Sequence, residues 1–184
     1  SIDKTIPFTL VLNDADNDPT APASAFTVRV ATGLSPSAPA APIVFDLTGN
    51  GLQFQALTAG VMVDYLGNGQ PLATAWVGKD DGILAIDLNG NGRIDSGKEF
   101  VFGGNGKTDL QALADQYDSN HDGVLDAKDS AFAKFGVWQD ADSDGINDAG
   151  EFKSLSEMGI ASIDLSSDGK TYGAANGDVT VHGE

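Results

Sequence analysis

Asp140-Ala141-Asp142-Ser143-Asp144-Gly145-Ile146-Asn147-Asp148-Ala149-Gly150-Glu151 is the stretch on which the reading of this chain turns. Acids stand at places 1, 3, 5 and 9, a glycine sits at the sixth, and an acid closes the run at the twelfth. A hard cation such as Ca²⁺ takes about six to eight oxygens, and a calcium loop of the EF-hand type offers them from positions 1, 3, 5, 7, 9 and 12, with glycine at 6 for the sharp turn. Asp140, Asp142 and Asp144 would give side-chain oxygens, Ile146 its carbonyl, Asp148 a contact through water, and Glu151 a bidentate carboxylate. The bland reading is an acidic turn, and so full a match weighs against it.

The same pattern recurs upstream with growing departures. Asp118, Asn120, Asp122, Val124 and Asp126 fill the same places, and Asp129 closes the loop with an acid one methylene shorter. A short helix leaving this loop would lead to the next, so the two are expected to pair. In a third run, Asp87, Asn89, Asn91, Arg93 (by its carbonyl) and Asp95 fit. Position 12 is Lys98, which cannot ligate; Glu99 falls one place late, and Gly97 could absorb the extra residue. A fourth, Asp46, Thr48, Asn50 and Leu52, has only the front half and would need an acid from elsewhere, Asp80 or Asp81. Asp64-Tyr65-Leu66-Gly67-Asn68-Gly69 is weaker, because Leu66 has no ligating side chain. Asp14, Asp16 and Asp18 read equally as an inter-domain clamp or a solvated turn.

The bulk numbers agree with a taker of cations. Of 184 residues, 27 are acidic and 10 basic, for a net charge of −17. That excess argues against nucleic acid or an anionic membrane surface as partner. The acids cluster with Asn and Gly, unlike a solvating tail. The chain has no cysteine, which excludes thiolate sites and disulfides. It has two histidines, His121 at a non-ligand position of a calcium loop and His182, neither with a plausible Ser or Cys partner nearby in sequence, so no catalytic triad is expected, and two scattered histidines build no zinc site. No apolar run is long enough to span a membrane. No signal peptide opens the chain, so any export signal is expected elsewhere. Trp76 and Trp138 read as core anchors.

Three segments are expected. Residues 1–32 read as a β-hairpin, with strands at Ile6–Leu12 and Ala25–Val30 about the acidic turn. Residues 33–42, rich in Pro, Ala and Ser, read as a linker. Residues 43–184 read as α+β: EF-hand-like loops with short helices packed on small sheets. Strands are expected at Ile43–Phe45, Ile83–Ile86 and Ile160–Leu165, and a hairpin over Gln53–Val63. Helices are expected at Asp109–Tyr117, Ala127–Phe135 and Ala149–Met158, the last closed by Gly159.

The run Pro42-Ile43-Val44-Phe45-Asp46-Leu47-Thr48-Gly49-Asn50-Gly51, then Trp76–Leu84 with Asp80-Asp81-Gly82, then Asp87–Gly92, then Val137-Trp138-Gln139-Asp140, resembles in the same order the self-processing module of FrpC-type RTX proteins. Residues 1–31 look like Ig-like repeats of large RTX adhesins. The resemblance implies that calcium folds the module. It also implies an Asp-Pro bond at the N-terminal edge, cut when the aspartate's carboxylate attacks its own carbonyl; the activated Asp can then be joined to a lysine. The matching bond here is Ala41-Pro42, and alanine has no carboxylate.

The expectation is therefore a non-catalytic, calcium-rigidified module of a secreted or cell-surface bacterial adhesin. It would hold about three to five Ca²⁺ ions, act as a monomer, and have neighbouring domains of the same long chain as partners. The competing readings are a self-cleaving and self-ligating module, and a calcium sensor that opens to a target. Two methionines make no Met-rich groove for the latter.

Overall fold

The computed structural model describes residues 42–104, 106–167, 169–174 and 179–182, all within the second of the chain's two compact units, Ala38–Glu184. The expected hairpin over 1–32, the acidic turn at Asp14–Asp18, residues 33–41 of the linker and Ala41 lie outside the described residues.

The α+β, EF-hand-like expectation is overturned. Among the described residues there is one α-helix, and the rest of the regular structure is small antiparallel sheets and three short 3₁₀ turns joined by long loops. The centre is a four-stranded sheet of order β1-β6-β8-β9, formed by β1 (Val44–Phe45), β6 (Gly82–Ile86), β8 (Phe135–Trp138) and β9 (Phe152–Ser154). Four two-stranded sheets accompany it. They pair β2 (Phe54–Gln55) with β5 (Trp76–Val77), β3 (Val61–Val63) with β4 (Leu72–Thr74), β7 (Val124–Asp126) with β10 (Ser162–Asp164), and β11 (Thr171–Ala174) with β12 (Val179–His182).

Strand β6 is buried along its whole length because the sheet is covered on both sides. Side chains alternate between the faces of a strand. Leu84 and Ile86 therefore join one core with Phe102, Leu113, Leu125, Phe135, Val137, Leu155 and Ile163. Ile83 and Ala85 join a second core with Val61, Val63, Trp76, Val77, Ile94, Phe100 and Trp138. Trp76, Phe100 and Trp138 meet edge to face there, with ring centroids 5.4–6.0 Å apart, the arrangement aromatic quadrupoles favour.

The helix α1 (Asp109–Tyr117) forms where expected. Thr108 caps it: its hydroxyl accepts from the Gln111 N–H while the Gln111 side chain accepts from the Thr108 N–H, a reciprocal cap that satisfies two otherwise orphaned donors. The other two helices are absent for visible reasons. Over Ala127–Phe135 the Asp129 carboxylate hooks back to the Ser119 and Asp126 N–H groups, leaving turns and a short 3₁₀ stretch, Phe132–Lys134; Phe135 then starts β8. Over Ala149–Met158 the central sheet captures Phe152–Ser154, with Trp138 opposite Phe152 and Gly136 opposite Ser154. The hairpin expected over Gln53–Val63 is also replaced. Its two halves pair with different partners, β5 and β4.

Candidate metal centre

Five loops share one local construction. The Asp at position 1 turns its two oxygens onto the loop's own backbone, and the second oxygen always accepts from the N–H of the glycine at position 6. The distances are 2.8 Å for Asp46–Gly51, 2.6 Å for Asp64–Gly69, 2.8 Å for Asp87–Gly92, 2.9 Å for Asp118–Gly123 and 2.9 Å for Asp140–Gly145. The chain can curl this tightly because positions 4 and 6 take left-handed backbone. Position 4 is glycine in three loops but His121 (φ 59°) and Ser143 (φ 63°) in the other two. Non-glycine residues are strained in that region, so these two loops hold their shape against a local cost.

Closure separates the loops. In the Asp140 loop, Glu151 Oε1 accepts from the N–H of position 2, Ala141, at 2.8 Å, and Oε2 from position 9, Asp148, at 3.0 Å. In the Asp118 loop, Asp129 does the same to Ser119 at 2.7 Å and Asp126 at 3.0 Å. In the Asp87 loop, Glu99, not Lys98, closes: it accepts from Leu88 at 3.1 Å and Asp95 at 2.6 Å. A 3₁₀ turn at Gly97–Glu99 takes up the extra residue. Gly97 also passes too close to the Tyr65 carbonyl for any side chain. Both Glu99 and Asp129 are buried.

The Asp46 loop borrows its acid. Asp81 lies 28 places after Gln53 yet accepts from the Gln53 N–H at 2.6 Å, and the Leu47 N–H also faces its carboxyl. Asp81 is fully buried and its Oδ1 has no hydrogen-bond partner. Burial, and then the charges of Asp46 and Asp80, push its carboxyl above the ordinary value, against the Gln53 N–H. Asp80 is exposed. Thr48, Asn50 and Leu52 follow the curl of the loop, with the Thr48 N–H on Asp46 Oδ1. The Asp64 loop has no such closing acid among the described residues.

Ligating side chains converge most clearly in the Asp140 loop. Oxygens of Asp140, Asp142 and Asp144 lie within 4.8 Å of one another, so these three could hold a metal ion. In the Asp118 loop a lysine intrudes: Lys128 Nζ lies 3.2 Å from Asp122 Oδ2 and 3.0 Å from Asp126 Oδ2. In the Asp87 loop the amides of Asn89 and Asn91 both donate to Asp95, at 3.0 and 2.7 Å.

Sequence reasoning missed two features. Each tryptophan of the second core also donates to a carboxylate of the Asp140 loop. Trp76 Nε1 lies 2.6 Å from Asp140 Oδ2 and Trp138 Nε1 3.4 Å from Glu151 Oε2. Nothing in the linear pattern joins residue 76 to residue 140. The pairing of loops was also misread. The Asp140 loop meets the Asp87 loop, through Asn147 Oδ1 accepting from the Ile94 N–H at 3.1 Å. The Asp118 loop instead pairs with β10, Leu125 opposite Ile163. The signal was a polar residue at position 8, where the other two loops have Ile94 and Leu125.

No helix among the described residues is long and apolar enough to cross a membrane. The chain is 44% identical over 134 residues to iron-regulated protein FrpA of Neisseria meningitidis serogroup C. That stretch is 67% of this chain and 12% of the relative's length. The SPM domain model matches residues 43–183, nearly all of the unit described above, and the chain therefore belongs to the SPM domain family.

Proposed function

We propose that this chain is a calcium-binding, calcium-rigidified module of an exported RTX-type protein, with neighbouring domains of the same long chain as its partners. The observation that carries the reading is the Asp140 loop, with three carboxylates converging within 4.8 Å and a fourth, Glu151, already aimed across the loop at both ends. Such crowding of like charges is unfavourable unless a cation joins it. In this reading Asp140, Asp142, Asp144, Asp148, Glu151 and the Ile146 carbonyl hold one ion. Asp118, Asn120, Asp122, Asp126, Asp129 and the Val124 carbonyl hold a second. Asp87, Asn89, Asn91, Asp95, Glu99 and the Arg93 carbonyl hold a third. The unpartnered buried Oδ1 of Asp81 supports a fourth at Asp46, Thr48, Asn50 and Leu52, because a buried acceptor without a partner is costly. The Asp64 loop is read as a turn.

Bound calcium would neutralise these carboxylates and lock the loops, which make up much of the chain between the short strands. The module is then non-catalytic: Ala41 offers no carboxylate to attack the Ala41-Pro42 bond. The test is a melting scan in chelator against one in millimolar Ca²⁺. A large rise in melting temperature with calcium is expected, and equal temperatures would sink the reading. Mass spectrometry of the same samples should show the 18.9 kDa chain intact in calcium; a fragment ending at Ala41 would restore the self-cleaving alternative.

A further inference from the structure

In the Asp87 and Asp140 loops, position 8 lies between the carbonyl proposed as a ligand at position 7 and the carboxylate at position 9. Those neighbours are Arg93 and Asp95 about Ile94, and Ile146 and Asp148 about Asn147. The Asn147 Oδ1 and the Ile94 N–H join the two position-8 residues at 3.1 Å. Ile94 is 6% and Asn147 5% exposed, so water does not compete for the bond. Ile94 is anchored in the core that holds Trp76 and Trp138, whose indoles hold Asp140 and Glu151. The Asn147 Nδ2 is buried and unpartnered, so the Ile94 N–H is the partner that orients this amide. The Asp118 loop has no counterpart: its position 8, Leu125, faces Ile163 of a plain strand.

We propose that Asn147 couples the Asp87 and Asp140 loops into one two-site unit, in which a cation in either loop raises the affinity of the other, while the Asp118 loop binds alone. This rests on the calcium reading above. A cation that fixes positions 7 and 9 of one loop fixes the residue between them, and that residue is bonded to its opposite number. A single buried hydrogen bond can carry a coupling of about five-fold in affinity.

The experiment titrates the whole chain with terbium(III), which takes oxygen-rich calcium sites, exciting through tryptophan so that the Asp140 loop beside Trp76 and Trp138 is the one read. Glu99→Gln disables the Asp87 loop and Asp129→Asn the Asp118 loop. Expected is a loss of about five-fold in terbium affinity for Glu99→Gln and no change for Asp129→Asn. Glu99→Gln should have no effect when added to Asn147→Leu, a variant that keeps the branched shape of the side chain and removes its hydrogen-bonding groups; Asn147→Ala repeats the measurement should the bulkier leucine unfold the loop. An undiminished Glu99→Gln effect in the Asn147 variants, or an equal effect of Asp129→Asn, overturns the coupling alone. If terbium and calcium fail to bind the unaltered chain, the calcium reading falls, and the coupling with it.

Discussion

The Asp118 and Asp140 loops are nearly the same twelve-residue pattern in different surroundings. The Asp118 loop rests against the core of α1, β7 and β10, closes with the shorter Asp129, and carries its own cation, Lys128, on Asp122 and Asp126. The Asp140 loop has its first carboxylate fully buried, two indoles donating to its acids, and three carboxylates converged within 4.8 Å. One loop has an internal substitute for metal and the other does not. Pattern alone therefore ranks the loops poorly; what the fold packs around them decides how much each gains from a cation.

The sharpest way to break this contrast is to remove the closing acids. Glu151→Ala should abolish the calcium-dependent part of stability that the Asp140 loop supplies. At a calcium level of a hundred times the dissociation constant that part is about 2.7 kcal/mol, a fall in melting temperature of about 5–10 °C for a chain of this size. Asp129→Ala should cost less of the calcium response, because Lys128 already offsets the acids there. Equal losses in the calcium-minus-chelator difference would mean that the surroundings do not matter.

A finer cut uses the tryptophans. Trp76→Phe and Trp138→Phe each shrink one indole in the same core, but they break unequal bonds: 2.6 Å to a fully buried carboxylate against 3.4 Å. A hydrogen bond to a charged group contributes about 1.5–3 kcal/mol, so in chelator Trp76→Phe should cost about 1 kcal/mol more than Trp138→Phe. Chemical denaturation of the two variants reads this difference. A larger cost for Trp138→Phe would remove the indole of Trp76 from the account of the site.

How far the sequence foretold this arrangement depends on how local each feature is. The curl of every loop is legible, because Asp at position 1 and Gly at position 6 act within five residues. Helix α1 is legible too, because its cap lies in Thr108 and Gln111. The helices expected after the two best loops were not to be had from periodicity. Phe152 and Ser154 find β8 partners fourteen and eighteen residues back, at Trp138 and Gly136, and sheet pairing overrides a weak helical preference. The Glu99 closure was half legible: the acid was visible, but the 3₁₀ turn that seats it follows from Gly97 passing against Tyr65, 32 residues upstream. The partnership of Trp76 with Asp140 spans 64 residues and leaves no trace in spacing.

Acidity gives the next test, in metal-free protein. Burial pushes the Asp140 carboxyl up, against the N–H groups of Gly145 and Trp76. In the other loop the Asp126 N–H, followed by the Ser119 groups, holds Asp129 down, and Lys128 holds Asp122 down. The linkage signs are opposite. A raised carboxyl contributes stability that is present below its unfolded value and lost as pH rises through the folded one. A lowered carboxyl contributes stability that is present above its unfolded value and lost as pH falls through the folded one. Carboxyl carbon shifts followed by NMR in chelator should show Asp140 titrating at higher pH than Asp129. The reverse order would place the costly charge in the wrong loop.

The smallest expected effect belongs to Lys128. Its side chain is 67% exposed, and exposed ion pairs are screened by solvent and contribute little, so Lys128→Gln should leave metal-free stability almost unchanged. Its effect on calcium has a definite sign. The ammonium sits on two of the carboxylates a cation would need, so an ion entering the Asp118 loop must displace it. Removing the lysine abolishes that competition and one like-charge repulsion, and calcium affinity at this loop should rise by a few-fold. Isothermal titration of Lys128→Gln in the Glu151→Ala background isolates the Asp118 loop from its stronger neighbour. The increase should shrink as salt is added, because an exposed charge acts through a screened field. A decrease in affinity would show that Lys128 positions Asp122 and Asp126 for the ion instead of competing with it, and the two loops would then differ in closure and burial but not in charge.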